Sequence, residues 1–480
     1  MEDETRDGDG GSTAASGIIS HRSDSINEIK QAAETVDGVD ILSTMPDEIL
    51  HHILSFVPTE IAITTSVLSK RWRPVWCGTH SLDFDDSDES RRTATDGDVN
   101  QTLISSKASK LTSFHLRVTK SDVSAPQMDR WIEFAMSRNV ENLSLSVNCK
   151  ETHSLPDVLY RSSSLEQLTI SAEIDIIPSC TVSWKSLRKL KLKDCCLYDK
   201  YFANILSGCP VLETLSLFCC DALPKRLDLS KSPSVKRLEI YQLYHTAGPM
   251  KIIAPHIHSL SMRSSEGLFP LVDVSSLTDA TLDVFLFHLQ SPLYYADFLQ
   301  KMVLKMLAKL QNVERLTLHG NLLQILSLAE LRGVPFPTLK VKTLTLETVL
   351  GRSVIPGIER LLQSSPGLKK LIAHATDLAD IKDRDVDSYL DSQGLNPNQI
   401  WRSKYKAFPE LIEYNGTIKS CNRAMSKLVA SYMEMLLRNA NTIETLVVGL
   451  RCIGSYDAEW FEELLQMISN NNNVSIVFKR

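Results

Sequence analysis

A motif of the form L-x-x-L-x-L recurs along most of this 480-residue chain and constrains its fold more than any other feature. Clear copies run through Leu111-Phe114-Leu116, Val140-Leu143-Leu145, Leu165-Leu168-Ile170, Leu187-Leu190-Leu192, Leu212-Leu215-Leu217, Val235-Leu238-Ile240 and Ile257-Leu260-Met262. The pattern resumes at Val313-Leu316-Leu318 and Val341-Leu344-Leu346, with weaker copies at Leu277-Ala280-Leu282, Leu368-Leu371-Ala373 and Ile443-Leu446-Val448. Successive copies start mostly about 20 to 29 residues apart. Within each copy the last residues alternate apolar and open, so each reads as one short strand with a single face to bury. One unit cannot bury that face alone, whereas stacked neighbours can. Helical pieces lie between the strands and end in turn signals: Trp131 to Arg138, Tyr201 to Ser207 before Gly208-Cys209-Pro210, and Ile358 to Ser364 before Ser365-Pro366-Gly367. The expected architecture is an α/β solenoid, a right-handed horseshoe over 106–400, with 401–480 as its end cap.

The period is that of leucine-rich repeats, and it accounts for residues that otherwise look reactive. Three positions past the last leucine of a copy stand Cys195, Cys220, Asn148 and Asn321, where an Asn or Cys side chain satisfies backbone groups in the turn of each coil. The adjacent pairs Cys195-Cys196 and Cys219-Cys220 therefore read as structural, and no Cys or His set has metal-ligand spacing. His51-His52 are neighbours on a helix and point in different directions.

The segment from Met45 to Trp76 follows a different logic. Thr44 and Asp47 bracket Met45-Pro46 as at a helix N-terminus, with Asp47 and Glu48 at the positive end of the dipole. Ile49, Leu50, Ile53, Leu54 and Val57 recur at helical spacing until Pro58 stops the run. A second apolar set follows at once: Ile61, Ala62, Val67, Leu68, Trp72 and Trp76, with Pro74 ending or bending a third helix near Arg73. Three short helices in about 32 residues fall below the size that sustains its own core, so the unit depends on a partner or on the domain that follows. MPDEIL, HHILSFVPT, TTSVLSKRWRPVW and then Leu82-Asp83-Phe84-Asp85-Asp86 resemble the plant form of the F-box over about 40 residues. Met45 stands where that family usually has leucine, a nearly volume-conserving change.

The resemblance implies a small all-α three-helix F-box at 37–80 that docks a Skp-type adaptor and, through it, a cullin, while the repeats bind a protein target for ubiquitination. Met45, Pro46, Ile49, Leu50, Ile53, Leu54, Val67, Leu68 and Trp72 are the expected adaptor contacts, some of them holding the helices together instead. Segment 1–36 is acidic and rich in glycine and serine, which reads as a solvated tail, and 81–105 reads as a polar connector. Ser431 to Ala440 followed by Ile443 to Val448 is similar to the helix-then-strand core of the FBD region of plant F-box proteins, and a final repeat explains it equally well.

Leucines of the motif point inward, so the residues between and just after them line the concave surface. Early coils offer Asn142, Ser144, Ser146, Gln167, Thr169 and Ser171 there. Middle coils offer Lys189, Lys191 and Lys193, then Phe218, then Arg237, Glu239 and Tyr241, then Arg263, and later Arg315 and His319. A basic middle with interleaved aromatics suits an acidic or phosphorylated segment of a protein.

A formal net charge of −6 argues against a general nucleic-acid or membrane-surface role, and no apolar run approaches the roughly 18 residues of a spanning helix. Ten scattered cysteines suit a reducing compartment, so nucleus or cytoplasm is expected. Phosphate-loop, HExxH, GxSxG and GxGxxG signatures are absent. The expectation is a non-catalytic receptor subunit without metal or cofactor, and the acidic run at Asp83 to Asp86 reads as a solvated face. Two other readings stay open: a hormone-like small-molecule sensor using the concave face, and an F-box scaffold that does not direct ubiquitin transfer.

Overall fold

The computed structural model describes residues 44–479 apart from 88–94, 150–152, 244–249, 266–268, 286–295, 377–380, 404, 406–407, 409–417, 441, 451–457 and 469–473. The acidic segment 1–36 lies outside the described residues.

Each copy of the motif becomes one strand of a fourteen-stranded parallel sheet. In chain order the strands are β1 (Ser81–Asp85), β2 (Ser113–Val123), β3 (Asn142–Cys149), β4 (Gln167–Ser171), β5 (Lys189–Lys193) and β6 (Thr214–Phe218). After β7 (Arg226–Asp228) come β8 (Arg237–Gln242), β9 (Lys251–Ile253), β10 (Ser259–Ser264), β11 (Leu271–Asp273), β12 (Asp279–Val284) and β13 (Arg315–His319). The last are β14 (Thr343–Thr348), β15 (Lys370–Ala375), β16 (Thr445–Gly449) and β17 (Ser475–Lys479). Strands β7, β9 and β11 form a separate three-stranded sheet, and the other fourteen pair in sequence order.

Register follows the leucines. Leu190 stands between Leu168 and Leu215, and Leu192 between Ile170 and Leu217, so inward side chains form columns across the sheet. Every motif residue of the clear copies is at most 2% exposed. Full burial of one such side chain is worth about 1.5–3 kcal/mol, and no single coil can supply the covering surface. At the start of most strands, one carbonyl accepts two amides from the next coil, as Glu141 does from Glu166 (2.7 Å) and Gln167 (3.1 Å). Ion pairs reinforce the same rim: Lys110–Glu141 (2.5 Å), Arg188–Glu213 (2.5 Å), Lys342–Glu314 (2.6 Å) and Lys369–Glu444 (3.1 Å).

Return segments differ along the chain. Helices Ala125–Ser137, Asp199–Ser207, Ala296–Lys309, Gly320–Leu331 and Ile355–Gln363 cover the inner face of the sheet, and the first, second and fifth of them correspond to the helical pieces read from the turn signals. Three middle coils depart from that pattern, because β7, β9 and β11 replace the helix. Their segments carry an alternating or β-branched apolar pair, such as Ile252-Ile253 ahead of Pro255, which favours a short strand. Past β15, helix Ile418–Asn439, β16, helix Ala458–Met467 and β17 extend the same sheet to its far edge.

Three sequence expectations need correction. The α-helix expected to end near Arg73 does not form among the described residues: after helices Asp47–Leu54 and Thr59–Thr64, the chain turns through 3₁₀ segments at Thr65–Val67 and Val75–Gly78. Bonds from Trp72 to Ser69 (3.2 Å) and Val75 to Trp72 (3.2 Å) are of the tighter i to i−3 kind, and Pro74 has no amide to continue an α-helix. The polar connector contains β1 and helix Asp96–Ser105, whose N-terminus is closed by a reciprocal Thr95–Asp98 capping box and whose Val99 is fully buried. Asn148 is exposed on β3 and donates to Asp122 (3.0 Å), leaving buried Cys149 as the inward residue.

Backbone conformation explains that last difference. Strand β3 continues through Cys149 with regular alternation, which keeps residue 148 outward. Behind β5 and β6 the chain instead passes through Asp194 (φ 58°) and Cys219 (φ 48°), and each left-handed residue resets the alternation. Cys195 and Cys220 therefore turn inward with no exposed surface. Their Sγ atoms lie 3.2 Å from the Lys193 carbonyl and 3.3 Å from the Leu192 carbonyl. Burial raises both thiols well above their ordinary range, Cys220 to about 12. Asn321 also takes its ladder role, donating to the Val284 carbonyl at 2.7 Å.

Candidate functional site

The first candidate surface is built by two short helices that share one small interior. Pro46 and Pro58 precede them in extended conformation, where a missing amide costs nothing. Arg71 pins the first helix by donating to the Met45 carbonyl and to Asp47 (2.9 Å). Leu50, Leu54, Ala62, Trp72 and Val75 form the interior, with Met45, Val57 and Trp76 packed at its margin. Leu50 (0% exposed), Leu54 (4%) and Trp72 (6%) are thus not available as contacts; they hold the unit together. What faces outward is a patch of Ile49, Ile53, Phe56, Val67 and Leu68, between 41% and 77% exposed. Pro46 is exposed beside it and Met45 is half-buried. Phe56, the most exposed of these, escapes the sequence reading although it continues Ile49 and Ile53 at the i+4, i+7 spacing of one helix face.

This unit is welded to the sheet. Thr59, itself 3% exposed, accepts the Asp83 amide of β1 on Oγ1 at 2.7 Å. Lys107 N donates to the Cys77 carbonyl and Thr112 N to the His80 carbonyl, each at 2.7 Å. Gly78 lies against the His51 imidazole so closely that a β-carbon there would stand 2.5 Å from Nε2. The acidic run is not a solvated face throughout: Leu82 and Phe84 enter the core, and Asp86, 1% exposed, accepts the amides of Thr119 (2.7 Å) and Lys120 (2.8 Å). Alternation over Leu82-Asp83-Phe84 is the legible signal of a strand.

The second candidate surface is the open face of the large sheet. All ten residues assigned to it stand on outward positions of the strands, in registers such as Lys193–Phe218–Tyr241–Arg263–Asp283. The Lys191 ammonium lies 4.7 Å over the Phe218 ring, and Phe218, Tyr241 and Phe285 follow one another at centroid distances of 6.1 and 5.8 Å. Part of the basic middle is neutralised by carboxylates of the sheet. Arg315 is paired with Asp279 (2.8 Å), Arg237 meets Glu239 (4.0 Å), and His319 sits between Asp283 (3.5 Å) and Glu347 (3.4 Å). Glu239 also accepts the Ser216 hydroxyl at 2.8 Å. Asp279 and Asp283 are legible as outward positions of the weak copy Leu277-Ala280-Leu282, but pairing across strands is set by register alone.

A shallow cleft of about 370 Å³ crosses the starts of β6 to β13 and is lined by charged and hydroxyl side chains, among them Lys236, Arg237, His258, Asp279 and Arg315. Among the described residues no group of three His, Cys, Asp or Glu is placed to hold a metal, and no helix is long and apolar enough to cross a membrane.

Comparison with known proteins matches this division. A family model of the F-box domain fits residues 42–82, and one described as FBD-associated F-box protein At5g56370, LRR repeats, fits residues 128–265. The putative F-box/LRR-repeat protein At3g28410 of Arabidopsis thaliana is 51% identical over 456 residues, covering 93% of this chain and 94% of the relative. The F-box/LRR-repeat protein At5g02910 of the same plant is 48% identical over 453 residues, covering 93% and 96%. The chain belongs to the plant F-box/LRR-repeat family. Its F-box match ends inside β1, the first strand of the shared sheet, and the repeat match begins at residue 128.

Proposed function

We propose that this F-box/LRR-repeat protein is the substrate-recognition subunit of a Skp–cullin–F-box ubiquitin ligase and is itself non-catalytic. The observation that carries the reading is the outward patch of Ile49, Ile53, Phe56, Val67 and Leu68 on a unit whose own interior is already filled by other residues. Five large apolar side chains left exposed on so small a unit point to a partner that covers them. A Skp-type adaptor is the partner that F-box family membership supplies. Strands that curve into a horseshoe would make the open face its concave side, the surface on which solenoids gather their partners. The protein acts in the nucleus or cytoplasm, where adaptor, cullin and target meet.

The small-molecule alternative calls for a deep apolar-lined pocket, and the cleft described above is open and lined by charged side chains. Affinity purification of the tagged full chain from plant cells, beside an I53D/L68D variant, tests the reading. Adaptor and cullin should both be recovered with the wild type and both lost with the variant. Adaptor without cullin would support the scaffold alternative, and recovery of neither with the wild type would overturn the assignment.

A further inference from the structure

Several cations of the open face are matched by carboxylates of the sheet, whereas β5 carries three outward lysines in line. Arg117 is matched by Asp85 on the adjoining strand (3.8 Å), His115 by Asp83 (3.9 Å), Arg315 by Asp279 (2.8 Å), and His319 by Asp283 and Glu347 on both sides. Arg237 meets Glu239 two positions along its own strand (4.0 Å). Strand β5 carries Lys189, Lys191 and Lys193 outward, all exposed. Lys189 and Lys191 have no ion pair among the described residues, and Lys193 reaches only Asp194, the next residue in the chain, at 3.6 Å. Flanking strands in register bring Gln167, Thr169 and Ser171 on one side and Thr214, Ser216 and Phe218 on the other, with no carboxylate. Three like charges therefore stand in line, about 6.6–6.8 Å apart, the two-residue step of a strand. Lys189 and Lys191 meet no carboxylate on the adjoining strands in register, and the Lys191 ammonium rests against the π-face of Phe218 instead.

Building on the open face as the target-binding surface, we propose that β5 seats an extended acidic segment of the partner, with carboxylates at every second residue. An extended chain has the same rise as the strand beneath it. Acidic side chains at i, i+2 and i+4 then fall over Lys189, Lys191 and Lys193 together. A contiguous acidic run turns half its charges away from the lysines. Hydroxyls and amides of Thr169, Ser171 and Gln167 beside the lysines offer hydrogen bonds to the same carboxylates. Arg237, Arg315 and His319 fall outside this seat, because carboxylates of the sheet already engage them.

Fluorescence anisotropy with the full chain, purified with its adaptor, tests the proposal at physiological salt. The probes are three labelled octapeptides: alternating glutamate and serine, four glutamates followed by four serines, and alternating phosphoserine and alanine. The alternating glutamate probe should bind more tightly than the block probe, and K189S/K191S should weaken it about tenfold, the effect of losing two exposed ion pairs. K200S/K305S, exposed on the return helices away from the open face, should leave it within about twofold. Equal binding of alternating and block probes, indifference to K189S/K191S, or binding confined to the phosphoserine probe would each overturn the proposal. Adaptor retention in the same samples reports the ligase reading separately. Patterned binding without the adaptor would sink that reading alone, and adaptor binding without patterned binding would sink the β5 seat alone.

Discussion

Replacing Phe56 with alanine separates the surface of the F-box from its interior. Phe56 is 77% exposed, which leaves roughly 150 Å² of largely apolar side chain in water. At about 25 cal/mol per Å², covering that area is worth up to about 4 kcal/mol, of which alanine forfeits about 3. Association returns only the surplus over ordering and desolvation costs, so the expected loss is about 2–3 kcal/mol, or 30- to 150-fold in Kd. Stability should change little, by about 0.5 kcal/mol, since the Phe56 ring meets the His52 imidazole edge-on at 4.9 Å and otherwise faces mostly water. Leu50→Ala is the contrasting variant. Leu50 is fully buried among just Leu54, Ala62, Trp72 and Val75, and a cavity there costs about 2–5 kcal/mol, enough to unfold so small a unit. Isothermal titration calorimetry against purified adaptor, with hydrogen exchange over residues 45–80, distinguishes the two. F56A should bind weakly with normal protection, whereas L50A should lose both. Adaptor affinity of F56A within twofold of wild type, or protection lost as in L50A, would refute the division between face and interior.

Two further variants probe what joins the parts. Thr59→Val removes the hydroxyl that accepts the Asp83 amide and should cost about 1–3 kcal/mol. Its signature is faster exchange across 45–80 with the sheet unchanged, and equal exchange in both proteins would mean that the weld is not there. A β-carbon on Gly357 would stand 2.6 Å from the Leu323 carbonyl oxygen and 2.7 Å from the Ser327 amide, where helix Ile355–Gln363 crosses Gly320–Leu331. Gly357→Ala should therefore lower stability by about 1–3 kcal/mol and Tm by several degrees, while Gly367→Ala, with open space around it, should not; similar Tm values for the two would disprove the close crossing.

Much of the sheet is legible because its cause is local and repeated. Two-residue alternation fixes which leucines turn inward, the 20- to 29-residue period fixes that strands stack in parallel, and every clear copy lies on a strand with its motif residues buried. Legibility fails where the period is blurred or a residue has two available faces. Strand β1 hides in an acidic stretch whose Leu82 and Phe84 carry the same alternation in a single short copy. Helix Asp96–Ser105 reads as polar linker because few apolar residues, chiefly Val99 and Leu103, anchor it. Asn148 and Cys195 sit at equal counts from their leucines and end on opposite sides, since one left-handed residue, Asp194, separates the two cases.

The amino-acid sequence by itself determined the family, the stacking of coils and the identity of the outward residues on the open face, because each follows from spacing along the chain. Tertiary structure alone decided which F-box hydrophobics are interior and which are surface, since Ile49 and Leu50 are chemically alike and differ only in what packs on them. It also decided which cations of the open face are spent. Arg315 and His319 are matched by carboxylates from strands tens of residues away in sequence, while Lys189 and Lys191 meet none among the described residues. Coulomb interactions fall with distance in space, and parallel pairing brings those residues within reach of each other.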